Sequence, residues 1–387
     1  PRSFVMDFLD ANGSNEAAPV RLNAAFEAEE LVTSAFFELH GDTEIGGHAL
    51  RGNIGLRYAD TETIIDNFLS TGGGNFAPAR REGGYDNWLP SMSLALDVTP
   101  DLVARVSAGK TITRAALANI ASGTLVPNIF NPEITVGNPN LEPQVATQFD
   151  VGLEWYFAPG GLLSVGGFHK RLEGTATATT DLVTLASTGL PDGAFNALAL
   201  GFPDGDIPDD FLLRRSSFIN LGTIKLRGLE LAYQQAFKFL PAPFDGLGAI
   251  ASYTKIDTEG NDFVFADGSS VSVALVPETS YSLTGYYEKG PFALRASYNY
   301  RAKSATTSTN NGNDQIPYNA SLGFLDATVS YRVTDAIEVR VDGLNLTNVN
   351  SYIFYEDPDQ ASGYGGTRRD NSFFNGRTIS FGIRGRF

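Results

Sequence analysis

The chain has 387 residues, 41 glycines, 11% aromatic residues and no cysteine, and its net charge is −16 at pH 7. The absence of cysteine excludes disulfides and thiolate metal sites, and the acidic balance excludes nucleic acid as a partner because phosphates would be repelled. No apolar run reaches the roughly 18 residues of a membrane-spanning helix, whereas a spanning β-strand needs only about 9–11 alternating residues. The length fits either two soluble domains or one large barrel.

The amino-terminal part of the chain predicts two strands between polar segments. Residues 1–30 are polar and irregular, which is typical of a loop. Strand-like runs at 31–39 and 49–65 are joined by a glycine-rich segment at 41–47. A second loop is predicted from 71 to 86, because this segment is polar and begins at a glycine run.

The clearest strands alternate apolar and polar residues with a period of two. A hairpin at 94–109 turns at Pro100, and a run at 149–157 turns at 158–161. Further runs of this kind lie at 162–171, 218–235, 247–257, 279–287, 292–301, 325–333 and 337–342.

The connections between these strands alternate in length. Tight turns near residues 99, 159, 289 and 334 are interleaved with irregular segments, and those segments have roughly 18 to 45 residues, long for hairpin loops. The longest segments are 114–146 and 174–217. A soluble β-sandwich would have short connections at both ends, whereas outer-membrane barrels have short turns at one end and long loops at the other. The sequence therefore predicts an all-β, transmembrane antiparallel β-barrel with about 13 strands present, an odd number that implies further strands outside this chain.

The carboxyl-terminal strand, 376–387, predicts a row that meets lipid and a row that meets water. The lipid-facing row is Ile379, Phe381, Ile383 and Phe387. The opposite row contains Arg384 and Arg386. We expect this strand to close the barrel.

Five aromatic residues beside strand ends suggest an aromatic girdle of the kind found at membrane interfaces. They are Trp88, Trp155, Tyr156, Phe157 and Phe292. In a soluble protein the same residues would pack in a core.

Four segments together resemble the TonB-dependent receptor family of bacterial outer membranes. They are GNIGLRYADT at 52–61, GNPNLEPQ at 137–144, GLNLTN at 343–348 and the terminal strand at 376–387. The resemblance implies a barrel of about 22 strands with a plug in its lumen. It also implies that the chain is the carboxyl-terminal portion of one barrel, entering at an extracellular loop (1–30) and ending at the closing strand. The plug domain and its TonB-binding segment would lie outside this chain.

No pattern in the sequence indicates catalysis, a cofactor or a resident metal. His40, His48 and His169 are far apart and have no metal-ligand spacing, and no nucleophile elbow or phosphate loop occurs. The acidic run at 204–210 departs from the spacing of an EF-hand. We expect a protein that is not an enzyme.

For ligand capture, the informative segment is 351–371. Its candidate binding residues are Tyr352, Phe354, Tyr355, Tyr364, Arg368 and Arg369. Aromatic faces beside arginines and carboxylates suit either an oligosaccharide or a ferric siderophore.

The main hypothesis is TonB-dependent uptake of a small-molecule ligand across the outer membrane. Its expected partners are outer-membrane lipid and lipopolysaccharide, the plug and remaining barrel strands, and TonB acting through the plug. Long loops would be extracellular and short turns periplasmic. The alternatives are a surface-anchoring autotransporter or adhesin barrel, a passive porin, and an outer-membrane hydrolase.

Overall fold

The computed structural model describes residues 25–72, 75–121, 129–188, 190, 194–260, 262–264, 270–273, 275–306, 315–357 and 366–385. Its strands are β1 (Phe26–Ile45), β2 (His48–Gly72), β3 (Asn75–Thr99), β4 (Leu102–Thr113), β5 (Glu133–Thr135), β6 (Gln144–Ala158), β7 (Gly161–Thr184), β8 (Leu212–Ala236), β9 (Leu247–Glu259), β10 (Asp262–Val264), β11 (Ser270–Ser272), β12 (Thr279–Lys289), β13 (Phe292–Arg301), β14 (Ser304–Ala305), β15 (Ile316–Asn319), β16 (Leu322–Thr334), β17 (Ile337–Leu344), β18 (Ser351–Asp357), β19 (Gly366–Phe373) and β20 (Thr378–Gly385). Two short helices are α1 (Leu117–Ala121) and α2 (Leu185–Thr188), and a 3-10 helix spans Phe244–Gly246.

One large sheet organises the described residues. Its order is β1-β2-β3-β4-β6-β7-β8-β9-β12-β13-β16-β17-β20, and each neighbouring pair is antiparallel. The short strand β5 joins β8 in parallel. These strands confirm the predicted all-β antiparallel class and the predicted number of about thirteen strands along the sheet.

The sheet has one end with short turns and one end with long connections. The turn end has tight connections at 46–47, 100–101, 159–160, 290–291 and 335–336. The opposite end, the loop end, has the connections β4–β6, β7–β8, β9–β12, β13–β16 and β17–β20. The predicted alternation of short and long connections is present except at two places. Only two residues separate β2 from β3 at the loop end, and the ten residues 237–246 separate β8 from β9 at the turn end.

The two faces of the sheet differ in chemistry. Side chains alternate between the faces along each strand, and the register aligns apolar positions of one strand with apolar positions of the next. Val106 pairs with Val151, Val151 with Gly167, and Gly167 with Leu229, so apolar side chains line up across strands on what we call the outer face. The opposite, inner face includes Arg105 on β4. The outer side chains are largely exposed, as expected of a face that meets lipid rather than a protein core.

Charged residues on the inner face pair across neighbouring strands. Arg105 donates from Nε and Nη2 to the two carboxylate oxygens of Glu154, at 2.8 and 3.1 Å. The Tyr156 hydroxyl donates to the same carboxylate at 2.8 Å, and Arg51 donates to Asp97 at 2.7 Å. The assignment of Tyr156 to a lipid-facing girdle is therefore wrong, since its phenol lies with the inner-face charges. A wide lumen keeps such pairs hydrated, which avoids the desolvation penalty of a narrow core.

Aromatic side chains of the outer face lie towards both ends of the sheet. At the turn end, the pairs are Phe157 with Tyr233 at 6.2 Å and Tyr287 with Phe292 at 6.0 Å between ring centroids. Towards the loop end, the pairs are Tyr58 with Trp88 at 4.8 Å and Tyr281 with Tyr300 at 4.9 Å. This is the arrangement of two interfacial girdles bordering an apolar band.

Several strands are longer than the sequence pattern predicts. The segment 71–86, expected to be a loop, belongs mostly to β2 and β3, and the two ends of 174–217 belong to β7 and β8. The amino-terminal segment 1–30, also expected to be a loop, contains the start of β1 at Phe26, while residues 1–24 lie outside the described part. The sequence pattern does not predict these strand extensions, because they lack a continuous apolar face.

The connection between β4 and β6 folds back against the inner face. Its helix α1 contributes Ile120 and Ala121, which with Leu141 surround Ile65 of β2 in a buried cluster. Phe218 of β8 packs against the same cluster. The connection therefore joins strands that are not neighbours in the sheet.

Amide side chains attach this connection to the strands. Asn67 donates to the Ala121 carbonyl at 3.0 Å, and Asn138 donates to the Phe218 carbonyl at 2.8 Å. Asn220 accepts from the Glu142 N–H at 2.9 Å and donates to the Glu142 carbonyl at 2.7 Å. These hydrogen bonds attach the GNPNLEPQ segment to β8 and satisfy backbone groups of Glu142 and Phe218.

Helices contribute little to the structure. Within the described ranges, none of them is both long and apolar enough to span a bilayer.

Replacing Asn220 by Ala should loosen this connection, because three hydrogen bonds to Glu142 and Gly174 are lost. We expect a cost of about 1–3 kcal/mol in local opening, measured as faster amide exchange at 137–143. Asn53→Ala is the control, since Asn53 makes an exposed hydrogen bond to Glu38 on the inner face. Equal exchange in the two variants would contradict the assigned role of Asn220.

Candidate functional site

A second, smaller sheet stands at the loop end, in the order β14-β15-β18-β19. Its strands come from two separate connections, β13–β16 and β17–β20. The segment 351–371 was expected to be a loop, but the part of it that the structure describes includes β18 and the first six of the eight residues of β19. It is ordered by pairing with β15, so a binding surface there would have a rigid backbone.

Aromatic rings follow one another across this sheet. Tyr318 of β15 stacks on Phe354 of β18, with ring centroids 5.7 Å apart and planes inclined by 22°. Tyr352, two residues before Phe354 and therefore on the same face, has its ring 6.0 Å from the Phe354 ring. Phe354 is 8% exposed, so it supports its two neighbours and offers little surface of its own. We call this surface the aromatic face.

Positive charges flank the aromatic face on both sides. The guanidinium carbon of Arg369 lies 4.3 Å from the Tyr352 ring centroid, and the Lys303 ammonium lies 4.6 Å from that of Tyr318. Lys303 also donates to Glu356 at 2.5 Å. Arg369 and Lys303 are both exposed. A ligand that contacts Tyr318 or Tyr352 would therefore meet a cation beside the ring.

The aromatic face is supported by a small core. Ala305 and Ile316 are buried with Val273, and Tyr318 packs against this cluster. Burial raises the pKa of the Tyr318 phenol, and the negative charge of Glu356 acts in the same direction. Tyr318 therefore stays a neutral hydrogen-bond donor at physiological pH.

The structure brings together some of the predicted binding residues and separates others. Tyr352, Phe354 and Arg369 belong to the aromatic face. Tyr355 follows Phe354 in the strand, which places it on the opposite face, and its partner across the strands is Arg368. Tyr364 lies outside the described residues.

Sequence reasoning missed Tyr318 and Lys303. Both belong to the connection between β13 and β16. The pairing of β15 with β18 brings Tyr318 beside Phe354, and Lys303 lies over the Tyr318 ring. The local signal was the four-residue run Ile316–Asn319, which is too short to predict a strand alone.

The residues predicted to form the closing strand lie at the end of the large sheet. Ile379, Phe381 and Ile383 pair with Gly343, Val341 and Val339 respectively. This register puts them on the outer face, and all three are exposed. Phe387 lies outside the described residues.

Nothing in the described part of the chain groups three or more histidines or carboxylates as a metal site would require. His40 lies 3.4 Å from Glu38, and the Nδ1 atom of His48 lies 3.2 Å from the Asp97 carbonyl oxygen. His169 lies on the outer face of β7, opposite Arg227.

The family model for the β-barrel of TonB-dependent receptors matches residues 6–349. The chain belongs to this family. Receptor barrels of this kind are outer-membrane proteins, and the family comprises receptors and transporters rather than enzymes. The predicted transmembrane antiparallel barrel is thereby confirmed.

Solved receptor structures share the fold of this barrel at low sequence identity. The siderophore receptor PiuA from Acinetobacter baumannii is 16% identical with a TM-score of 0.58, covering 93% of this chain and 44% of that one. The ferric-catecholate import receptor Fiu from E. coli K12 is 14% identical with a TM-score of 0.59, and the match covers 92% of this chain and 45% of that one. The ferric yersiniabactin uptake receptor FyuA from Yersinia pestis is 14% identical with a TM-score of 0.56, and the match covers 94% of this chain and 47% of that one.

The receptor barrel described here spans about half the length of these solved structures. No curated protein matches its sequence. The identities are low, so the similarity to the solved structures establishes the fold alone.

Replacing Phe354 by Ala should destabilise the smaller sheet, because Phe→Ala in a packed site costs about 3–5 kcal/mol. We expect faster amide exchange at 316–319 and 351–356, with β6 and β7 unchanged. Phe374→Ala is the control, since Phe374 is 79% exposed. Unchanged exchange in Phe354→Ala would show that the ring stack does not hold the sheet.

Proposed function

We propose that the receptor barrel is the wall of a TonB-dependent transporter that takes up a small ligand across the outer membrane. The aromatic face, with its flanking cations, carries this proposal. In the proposed orientation the loop end is extracellular and the turn end periplasmic, so the aromatic face meets ligand first. A plug inside the barrel and TonB would supply the gate and the energy.

The chemistry of the aromatic face favours an anionic ligand with flat groups. Lys303 lies over the Tyr318 ring and Arg369 lies over the Tyr352 ring, so each of these tyrosines has a cation against it. An anionic ferric siderophore can use the rings for stacking and the cations for charge-assisted hydrogen bonds. Siderophore and ferric-catecholate receptors among the similar structures support this ligand class.

An oligosaccharide is the second candidate, and the partly exposed rings of Tyr318 and Tyr352 are the observation that favours it. Aromatic ring surface suits the apolar side of a sugar. A neutral sugar would gain little from Arg369 or Lys303, so the two ligand classes predict different mutational responses.

Arg369→Gln should weaken the binding of an anionic ferric chelate by about tenfold or more, because a hydrogen bond to a charged group contributes about 1.5–3 kcal/mol of binding free energy. The measurement is fluorescence quenching of the purified complete receptor by ferric enterobactin, ferric citrate and maltoheptaose. Tyr352→Ala should weaken whichever ligand binds. Tyr355→Ala is the matched control, because Tyr355 lies on the opposite face of the same strand.

The outcomes separate the candidates. Binding of maltoheptaose that is lost in Tyr352→Ala but kept in Arg369→Gln would replace the siderophore by an oligosaccharide. Wild-type affinity in both variants would mean that the ligand binds outside the aromatic face. For transport, uptake of radioactive iron from the bound chelate should stop in cells lacking TonB, and continued uptake would contradict active transport.

A further inference from the structure

The inner face of β16 and β17 changes from polar to apolar towards the loop end. Nearer the turn end, the inward side chains of β16 are Thr328 and Ser330. Near the loop end, the inward side chains are Leu322 and Phe324 of β16 and Leu344 of β17. Exposing apolar side chains to a wet lumen is unfavourable, and an apolar patch on a wetted surface commonly marks a binding site.

These three side chains line a niche of about 250 Å³, which we call the lumenal niche. Val349, in the connection that follows β17, lines it as well. In other proteins a cavity of about 150 Å³ with leucine, isoleucine and phenylalanine walls binds benzene. The lumenal niche therefore has room for an aryl ring or a short acyl chain.

The GLNLTN segment builds one wall of the niche and fixes its shape. Asn345 and Asn348 have φ angles of 51° and 55°, in the left-handed region that asparagine tolerates better than most residues. The Asn345 side chain donates to the carbonyls of Val349 and Gly376 at 2.9 and 3.0 Å, and it accepts from the Val349 N–H at 2.9 Å. The wall is thus held by the protein's own hydrogen bonds before any ligand binds.

Two polar residues line the niche, and they bond to each other. Asp326 accepts from the Asn345 N–H at 2.8 Å. Both ends of the Asn345 side-chain amide are already used within the protein. A polar group that entered the niche would find few partners, whereas an apolar group would lose nothing there.

Charge sets the direction from which an anionic molecule can use the niche. Arg301, at the loop end of β13, lies opposite Leu322 on the inner face. It is half-buried, and no carboxylate within the described ranges pairs with it. Asp326 lies on the other side of Leu322, towards the turn end. An anion is attracted to the Arg301 side and repelled from the Asp326 side, so only an uncharged part of it enters the niche.

The niche lies close to the aromatic face. Leu322 follows Tyr318 by four residues, and Val349 precedes Tyr352 by three. Because a chain spans at most about 3.6 Å per residue, these Cα pairs are separated by no more than about 14 and 11 Å. The Ala320 N–H donates to the Tyr352 carbonyl at 3.0 Å, which joins the two regions directly. One small ligand can therefore contact both.

We propose that the lumenal niche binds the apolar substituent of an anionic ferric chelate whose core contacts the aromatic face. This inference rests on the proposed uptake function, and it narrows the ligand class to chelates that carry a short acyl chain or an aryl group. Leu322, Phe324 and Leu344 surround the substituent, and Arg301 lies beside the anionic core. An oligosaccharide has no comparable substituent and would leave the niche empty.

The first test uses two ferric chelates that differ only in one chain. They are iron(III) complexes of a citrate dihydroxamate with N-acetyl or N-hexanoyl groups, titrated into the complete receptor by fluorescence quenching. The hexanoyl chelate should bind about tenfold or more tightly than the acetyl chelate, because each additional methylene that enters the niche favours binding.

Variants of Leu344 locate this preference. Leu344 is 52% exposed, so its replacement leaves the sheet folded. Leu344→Asn puts an amide of similar volume into the wall and should abolish the preference for the hexanoyl chelate, whereas Leu344→Met should keep it. Ser330→Asn is the matched control, because it adds the same amide to the inner face of β16 nearer the turn end.

The second test needs no iron chelate. The probe is 4-(trifluoromethyl)phenylacetate, which combines an aryl group with a carboxylate, and its binding to the complete receptor is measured by fluorine NMR line broadening. Binding should weaken several-fold in Leu344→Asn and in Arg301→Gln, and remain at the wild-type level in Ser330→Asn. The neutral phenylacetamide analogue should respond to Leu344→Asn alone.

The outcomes separate this inference from the proposed function. Equal affinity of the two chelates for the wild-type receptor, or a hexanoyl preference that persists in Leu344→Asn, would overturn it. Absence of fluorinated-probe binding to the wild-type receptor would overturn it too, because another part of the complete receptor would then fill the niche. Binding of the fluorinated probe without binding of either chelate would refute the ferric ligand class while leaving an apolar site in the lumen.

Discussion

The structure depends on one constraint: inside a bilayer every backbone N–H and C=O must find its partner within the protein. In the described residues, thirteen antiparallel strands meet this constraint along one continuous sheet, except on the outward edges of β1 and β20. Because each strand has a side-chain period of two, a fixed register also separates the side chains into an outer and an inner set. The hydrogen bonds of the backbone thus decide which residues meet lipid and which meet water.

The two ends of the sheet differ in structure. At the turn end the strands join through tight turns, and inner-face charges such as Arg105 and Glu154 pair close to them. At the loop end the strands continue beyond the apolar band, and charged residues occupy many positions of the outer face. There the connections build their own small cores, one around Ile65 and Leu141 and another around Val273 and Ile316. The second core holds the aromatic face in position.

The sequence predicted the parts of the molecule where lipid imposes alternation. The hairpin from Leu94 to Ala108 and the run from Phe149 to Trp155 have the predicted faces, because apolar residues occupy every second position. The segment 71–86 did not reveal its strand, because no lipid requires an apolar face there. At the candidate site, Tyr352 and Arg369 were found within one segment. Tyr318 was missed because only long-range strand pairing brings it near.

The most direct test uses the absence of cysteine from these 387 residues, so that an introduced cysteine is unique within them; any cysteine in the rest of the complete receptor is first replaced by serine. Single cysteines at 379–384 of the complete receptor, in lipid vesicles, would carry nitroxide labels for accessibility measurements. The account predicts that labels at Ile379, Phe381 and Ile383 are accessible to oxygen dissolved in lipid, while labels at Ser380, Gly382 and Arg384 are accessible to a water-soluble nickel chelate. Accessibility without this period of two would contradict the assignment of the outer and inner faces.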